Sequence, residues 1–263
     1  LKQALGGSKF LGNNALVLAT STQMLFDNET LSSVQLSAVE NERAGCFKQD
    51  RDRRDFIAAH ILARCVVALM AHCRPYDVTI VQRCPDCGGA HGPPRVMGYP
   101  DLHVSWSHSK GAIAAAAGWL PVGVDLEKSH EAVYDIEIGN LILNPREQQI
   151  IHTLYKYKQE RSYRWISDVD LAFLRLWVCK ESLIKSGELT LGTLAGCDLS
   201  GIGLYEAMDQ STPRFHHLSG KWLMEWIDEG FSVVGAAASC NRPTLIQCRQ
   251  KKLKKLAALL ECK

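Results

Sequence analysis

Several things are missing from this 263-residue chain. No apolar run is long enough for a membrane span. The longest weakly polar stretch, Gly111 to Leu126, is broken by Pro121 and three glycines and falls short of the ~20 apolar residues that a transmembrane helix requires. No continuous apolar segment follows Lys2 and Lys9, so no signal peptide is expected; the lack of an initiator Met reads as a trimmed or incomplete chain. Neither charge sign dominates, with 30 Lys and Arg against 28 Asp and Glu, so nothing argues for a nucleic-acid partner. No G-x-S-x-G elbow is present for a serine hydrolase.

Hydrophobic residues make up 46% of the chain and charged residues 22%, enough for a proper core in one large domain or two small ones. Several of the ten cysteines lie in apolar helix-like runs, such as Cys65 and Cys179. They read as small buried hydrophobes in a reducing cytoplasm rather than as a disulfide framework.

The apolar periodicity gives a strand at Leu16–Thr20 and a helical segment after Ser32. The clearest helix spans Asp55 to Ala71, with the charges of Arg51 to Asp55 before it. A strand over Val78–Gln82 precedes a Cys-, Gly- and Pro-rich loop, 83–100. Two strands follow, Asp101–Trp106 and Ala112–Trp119, joined by a polar turn Ser107-His108-Ser109-Lys110-Gly111; a third begins at Val122. Helices are expected at Arg146–Tyr157 and Leu171–Ser186, strands at Lys221–Ile227 and Phe231–Ser239, and a basic amphipathic helix at Arg249–Lys263. The stretch from Val104 through Gly118 has a weak echo from Glu225 through Ala238. Two α+β halves of similar plan would explain it, with Pro121 at the junction, and so would chance likeness between two hairpins. A cleft between halves is a favoured ligand site.

Four segments carry chemistry. In Gly123-Val124-Asp125-Leu126-Glu127 the two acids are two apart, so on a strand they share a face; such carboxylates suit a hard divalent cation or, equally, a solvated edge. In Trp177-Val178-Cys179-Lys180-Glu181-Ser182-Leu183-Ile184-Lys185, Trp177, Glu181 and Lys185 share a helix face, with Lys180 beside it; a surface Glu–Lys pair would look the same. Ser107 and His108 offer donors for a phosphate. Arg51, Arg53 and Arg54 place guanidinium groups, which match phosphate geometry, at the start of the strongest helix.

Taken together, the order and spacing of these segments resemble the Sfp-type 4′-phosphopantetheinyl transferases. The carrying motifs are G-V-D-L-E at 123–127 and W-V-C-K-E-S-L-I-K at 177–185. They are supported by S-H-S at 107–109, G-P-P-R at 92–95 and R-R-D-F-I-A-A-H-I-L-A-R at 53–64. The resemblance implies an α+β pseudo-dimer of two similar halves with the active site in the cleft between them, here 1–120 and 121–248, followed by a basic tail, 249–263. It implies Mg²⁺ (or Mn²⁺) on Asp125, Glu127 and Glu181, and Lys185 at the pyrophosphate of coenzyme A. Ser107 and His108 would contact coenzyme A phosphates. Arg54, Arg51 or Arg53 would hold the 3′-phosphate. Apart from the resemblance, the position of Lys180 beside Glu181 suggests that it too holds phosphate oxygens. Pro93 stands where the family often has a basic residue, with Arg95 as a substitute.

The implied reaction moves 4′-phosphopantetheine from coenzyme A to a serine of an apo acyl or peptidyl carrier protein and releases 3′,5′-ADP. This is a holo-[acyl-carrier-protein] synthase activity of the EC 2.7.8.7 type, with Glu181 or Glu147 as base. Fatty acid, polyketide, nonribosomal peptide and siderophore synthesis are all open as pathways, and a cytoplasmic monomer is expected. Cys84-Pro-Asp-Cys87-Gly-Gly-Ala-His91 has the spacing of one zinc knuckle. No second C-x-x-C exists to close a four-ligand site, so free thiols are the expectation there unless His72 or Cys73 completes it. The leucines of the basic C-terminal segment are expected to pack on the body rather than on a membrane.

Overall fold

The computed structural model describes residues 14–129, 133–160, 169–206, 208 and 212–261. The expectations on Lys2, Lys9 and Lys263 lie outside the described residues. The chain is a mixed α+β protein built from two four-stranded sheets. In the first, strands β1 (Leu16–Ser21), β4 (His103–Ser109), β5 (Ala112–Gly118) and β10 (Thr244–Gln247) lie in the order β10-β1-β5-β4. In the second, β6 (Val122–Lys128), β7 (Arg214–Leu218), β8 (Lys221–Asp228) and β9 (Val233–Ser239) lie in the order β6-β9-β8-β7. A small ribbon of β2 (Ile80–Gln82) and β3 (Pro94–Val96) stands apart, so the loop read over 83–100 contains a short strand.

Alternation of side chains splits each sheet between two cores. Val17, Ala19, Ala112, Ala114 and Ala116 meet Val122, Val124, Leu126, Met224, Trp226 and Ala237 between the sheets. The alanines keep this layer thin. The opposite face of the first sheet carries Leu16, Leu18, Ile113 and Ala115 against α4 (Asp50–Ala71). The opposite face of the second carries Leu223, Val234, Ala236 and Ala238 against α7 (Val169–Lys185). The order of layers is therefore helix, sheet, sheet, helix.

The sequence echo falls on the β4–β5 and β8–β9 hairpins. Each is paired antiparallel, and the second strand of each borders a lead strand, β1 or β6. Beyond Ser239 the chain returns to the first sheet. β10 runs parallel to β1, and α8 (Gln250–Glu261) buries Leu253, Leu256 and Leu260 in the first helix–sheet core. The basic segment thus packs by its leucines. Helix α4 starts at Asp50, earlier than its apolar period implies. Asp50 and Asp52 in its first turn suit the helix dipole and offset the arginines that follow.

Between α7 and β6 the backbones nearly touch. A Cβ added at Gly123 would lie 1.9 Å from the Ser182 carbonyl oxygen and 2.5 Å from the Ser186 nitrogen. Both neighbours are backbone and cannot swing aside. Gly123→Ala should therefore destabilise the fold by at least about 3 kcal/mol, read as a lowered midpoint in urea unfolding; a change under about 0.5 kcal/mol would show that α7 is not seated there.

Candidate active site

Strand β4 edges the first sheet and β6 edges the second, and serine side chains join the two. Ser105 Oγ accepts from the Val124 N–H at 3.1 Å. Ser107 Oγ donates to Asp125 Oδ1 at 2.8 Å, and Ser109 Oγ donates to Glu127 Oε2 at 2.6 Å. The spacing of two in S-W-S-H-S is the strand period, so all three hydroxyls reach β6. The residues read as a polar turn belong to β4, and the turn itself is Lys110-Gly111.

Asp125 is the centre of the group. It is 4% exposed, and its Oδ1 also accepts from Lys185 Nζ at 2.6 Å. Its Oδ2 is buried without a hydrogen-bond partner. Glu127 and Glu181 are half-buried beside it. Burial lifts the Glu127 carboxyl above its ordinary range; the Ser109 bond pulls it down and repulsion from Asp125 pushes it up. Burial also lifts Glu181, aided by Asp125 and Glu127 and opposed by Lys185. Three mutually repelling carboxylates around an orphaned buried oxygen are an oxygen-donor set suited to a hard divalent cation. Their ligand atoms do not all lie within 4.8 Å of one another; among the described residues that spacing is met by Cys84, Cys87 and His91.

Other expected site residues lie elsewhere. Lys180 is fully buried and bonds Glu147 Oε2 at 2.7 Å and the carbonyls of Ile142, Leu194 and Cys197. It fastens α7 to the loops around it and is closed to a phosphate, a correction to the expectation that it would help hold one. Glu147 is equally enclosed. It takes the Lys180 ammonium and the N–H groups of Asn144 and Leu199, which removes it as a base. Arg53 pairs with Asp50, Arg51 lies 3.7 Å from Asp52, and Arg54 donates to Gln23 while covering the Phe26 ring. Arg95 is exposed on β3 opposite Val81.

His108 lies on the face of β4 opposite to Ser107, with Trp106. Together with Arg43, Cys46, Phe47, Phe56, His60 and Gln82, these two line a cavity of about 410 Å³. Burial lowers the His108 pKa, with Asp55 opposing. Arg43 donates to Gln82 Oε1 at 2.7 Å and sits 5.2 Å from the Phe56 ring centre. Neither Arg43 nor His60 is assigned a role by the sequence; no motif marks Arg43, and His60 lies within the R-R-D-F-I-A-A-H-I-L-A-R segment without being singled out there. Arg43 sits on the short helix α3 (Ala38–Gly45), and His60 stands within an apolar helix run.

His60 has its Nδ1 2.8 Å from the Phe56 carbonyl oxygen and its Nε2 unpartnered. Burial lowers its pKa from 6.5 to about 4. Between those values the unfolded chain binds the proton and the folded one does not. Stability therefore falls as pH drops through that window, by about 3 kcal/mol over its length. The stability of His60→Gln should decline less steeply between pH 6.5 and 4, as urea midpoints at several pH values would show; parallel curves for the two proteins would refute this.

Two comparisons bear on these residues. Residues 121–223 match the family model of the 4'-phosphopantetheinyl transferase superfamily. A 4'-phosphopantetheinyl transferase of Bacillus subtilis is 26% identical over 151 residues, which cover 57% of this chain and 59% of the relative. The chain thus spans about three-fifths of the length of the relative it matches. The matched segment contains β6 and α7, and with them Asp125, Glu127, Glu181 and Lys185. The resemblance read from the G-V-D-L-E and W-V-C-K-E-S-L-I-K motifs holds over this segment, which is similar to the 4'-phosphopantetheinyl transferase superfamily.

Proposed function

We propose that this protein transfers the 4′-phosphopantetheine group of coenzyme A to a serine of an apo acyl or peptidyl carrier protein, in a Mg²⁺-dependent reaction that releases 3′,5′-ADP. The observation that carries this reading is the buried Asp125, whose free Oδ2 sits in a carboxylate group with one ammonium, Lys185, at its edge. Asp125, Glu127 and Glu181 would hold the ion. When bound, it would neutralise the charge that builds on the pyrophosphate.

The two cavities suggest how coenzyme A lies. The cavity of about 410 Å³ combines a guanidinium, two imidazoles and three aromatic rings, a lining suited to a phosphorylated nucleotide. A second, of about 310 Å³, adjoins Ser109 and Glu127 and has apolar walls from Phe173, Leu174 and Trp177, suited to the pantetheine arm. The pyrophosphate then crosses the end of β4, with His108 on one side and Ser107 and Lys185 on the other. Arg43 replaces the α4 arginines as the first choice for the nucleotide end. This pose puts the site between a first half, 1–120, and a second, 121–248, with β10 returned to the first sheet; their matched hairpins support a duplicated plan.

In the chemical step the carrier serine Oγ attacks the β-phosphorus of coenzyme A. The new P–O bond forms as the bond to 3′,5′-ADP breaks. Glu181, on the rigid α7, takes the serine proton, a contribution on the order of 10²–10⁴-fold. Lys185 Nζ faces the leaving phosphate and offsets its charge. The proposal includes a monomer in a reducing cytoplasm; the nine free cysteines among the described residues accord with that compartment.

Incubation with coenzyme A, Mg²⁺ and apo carrier proteins should add the phosphopantetheine mass to one serine; no mass gain across acyl and peptidyl carriers would reject the reading. Asp125→Ala and Glu181→Ala should each lower turnover by at least about 10²-fold while leaving the circular dichroism spectrum intact, and near-normal turnover in both would dismiss the metal assignment. Arg43→Ala should raise KM for coenzyme A with a smaller effect on kcat; an unchanged KM would place the nucleotide elsewhere.

A further inference from the structure

The loop between β2 and β3 closes on itself around Cys84, Cys87 and His91. One ligand atom from each lies within 4.8 Å of the other two. Cys87 Sγ and His91 Nε2 are 3.0 Å apart. In a tetrahedral site with bonds of about 2.3 Å to sulfur and about 2.0 Å to nitrogen, ligand atoms stand roughly 3.5 Å apart. The cluster is therefore already drawn to chelating size and would open slightly to admit an ion.

The surrounding backbone supports the sulfurs: Gly89 N–H donates to Cys87 Sγ at 3.4 Å. The loop is tied by Cys84 N–H to the Gly89 carbonyl at 2.9 Å and Gly88 N–H to the Cys84 carbonyl at 3.0 Å. A side chain at Gly89 would press on the His91 ring and Cys87 Sγ, at 3.2–3.3 Å. Gly92 has φ +98°, and a Cβ there would lie 3.2 Å from Cys84 Cα. Both glycines thus let the histidine fold back over the two sulfurs.

We infer that Cys84, Cys87 and His91 form a Zn²⁺ site, with two thiolates and one imidazole as protein ligands and the fourth position open to water. Two sulfurs and one nitrogen select a borderline-soft ion over the hard cation of the carboxylate group. Binding exchanges the two thiol protons for the metal. Among the described residues neither His72 nor Cys73 joins the cluster, and Cys87 and His91 face solvent, which leaves the remaining position for water. The ion acts as a staple. Gln82 Nε2 donates to the Gly92 carbonyl at 2.9 Å and Gln82 Oε1 accepts from Arg43, so fixing the loop also steadies one wall of the 410 Å³ cavity.

The test uses the full chain and Zn²⁺ or Co²⁺ alone, so its outcome is independent of any transferase activity. Elemental analysis after dialysis against Zn²⁺ should give one zinc per chain, and Co²⁺ should produce thiolate-to-cobalt charge-transfer absorption. Cys84→Ser, Cys87→Ser and His91→Ala should each lose the zinc, whereas Cys46→Ser and Cys73→Ser keep it. In the unaltered protein, zinc should slow tryptic cleavage after Arg83, and a chelator should restore it, a readout that needs no variant to fold. No zinc uptake, uptake that survives the double change C84S/C87S, a Cys84–Cys87 disulfide in the native protein, or cleavage indifferent to zinc would each overturn the assignment.

Discussion

Everything near the carboxylate group hangs on Asp125. Its carboxylate is buried where two sheet edges and one helix converge, and it takes a hydroxyl from β4 and an ammonium from α7 on the same oxygen. A buried charge held by partners from separate elements is costly to leave unpaired. The partners are therefore constrained as tightly as the acid. Moving α7 outward strands Asp125; moving β4 removes the hydroxyl. The second oxygen has no protein partner, so the same burial that organises the junction leaves one strong acceptor to be satisfied from outside the chain.

That arrangement depends on packing that contributes no chemistry of its own. Gly123 brings α7 against β6 and so sets Glu181 and Lys185 beside Asp125. The alanine layer between the sheets lets the β4 and β6 edges come near enough for three serine hydroxyls to bridge them. Lys180 and Glu147, which as isolated residues look catalytic, are spent on holding α7 in place by a buried pair and several carbonyls. That pair anchors the turn of α7 that also carries Glu181.

Much of this was legible in the chain. The D-x-E pair was assigned to one strand face and lies so, because the strand period leaves no alternative once Val124 and Leu126 are buried. Glu181 and Lys185 were placed on one helix face, and α7 keeps them there. Ser107 and His108 were read as partners in a turn, yet they sit on opposite faces of a strand. Polar residues in a run of S-W-S-H-S look like a turn until a second sheet supplies acceptors at alternate positions. The arginines at the start of α4 make exposed pairs with Asp50 and Asp52 or contact Gln23 and Phe26, while Arg43, which no pattern marked, lines the cavity.

The sequence by itself determined the ligand types, their periodic spacing within each element, and the family to which those motifs point, because strand and helix periods are local properties of the backbone. Only the tertiary structure decided which of the charged groups are open to a substrate. Burial, and the distance between residues as far apart in the chain as Ser107, Asp125 and Lys185, are set by how sheets and helices close on one another. The same holds for the return of β10 to the first sheet and for the three-ligand cluster at Cys84, Cys87 and His91. In the latter, a spacing that looked incomplete as a string became a compact three-ligand cluster once the loop folded back on itself.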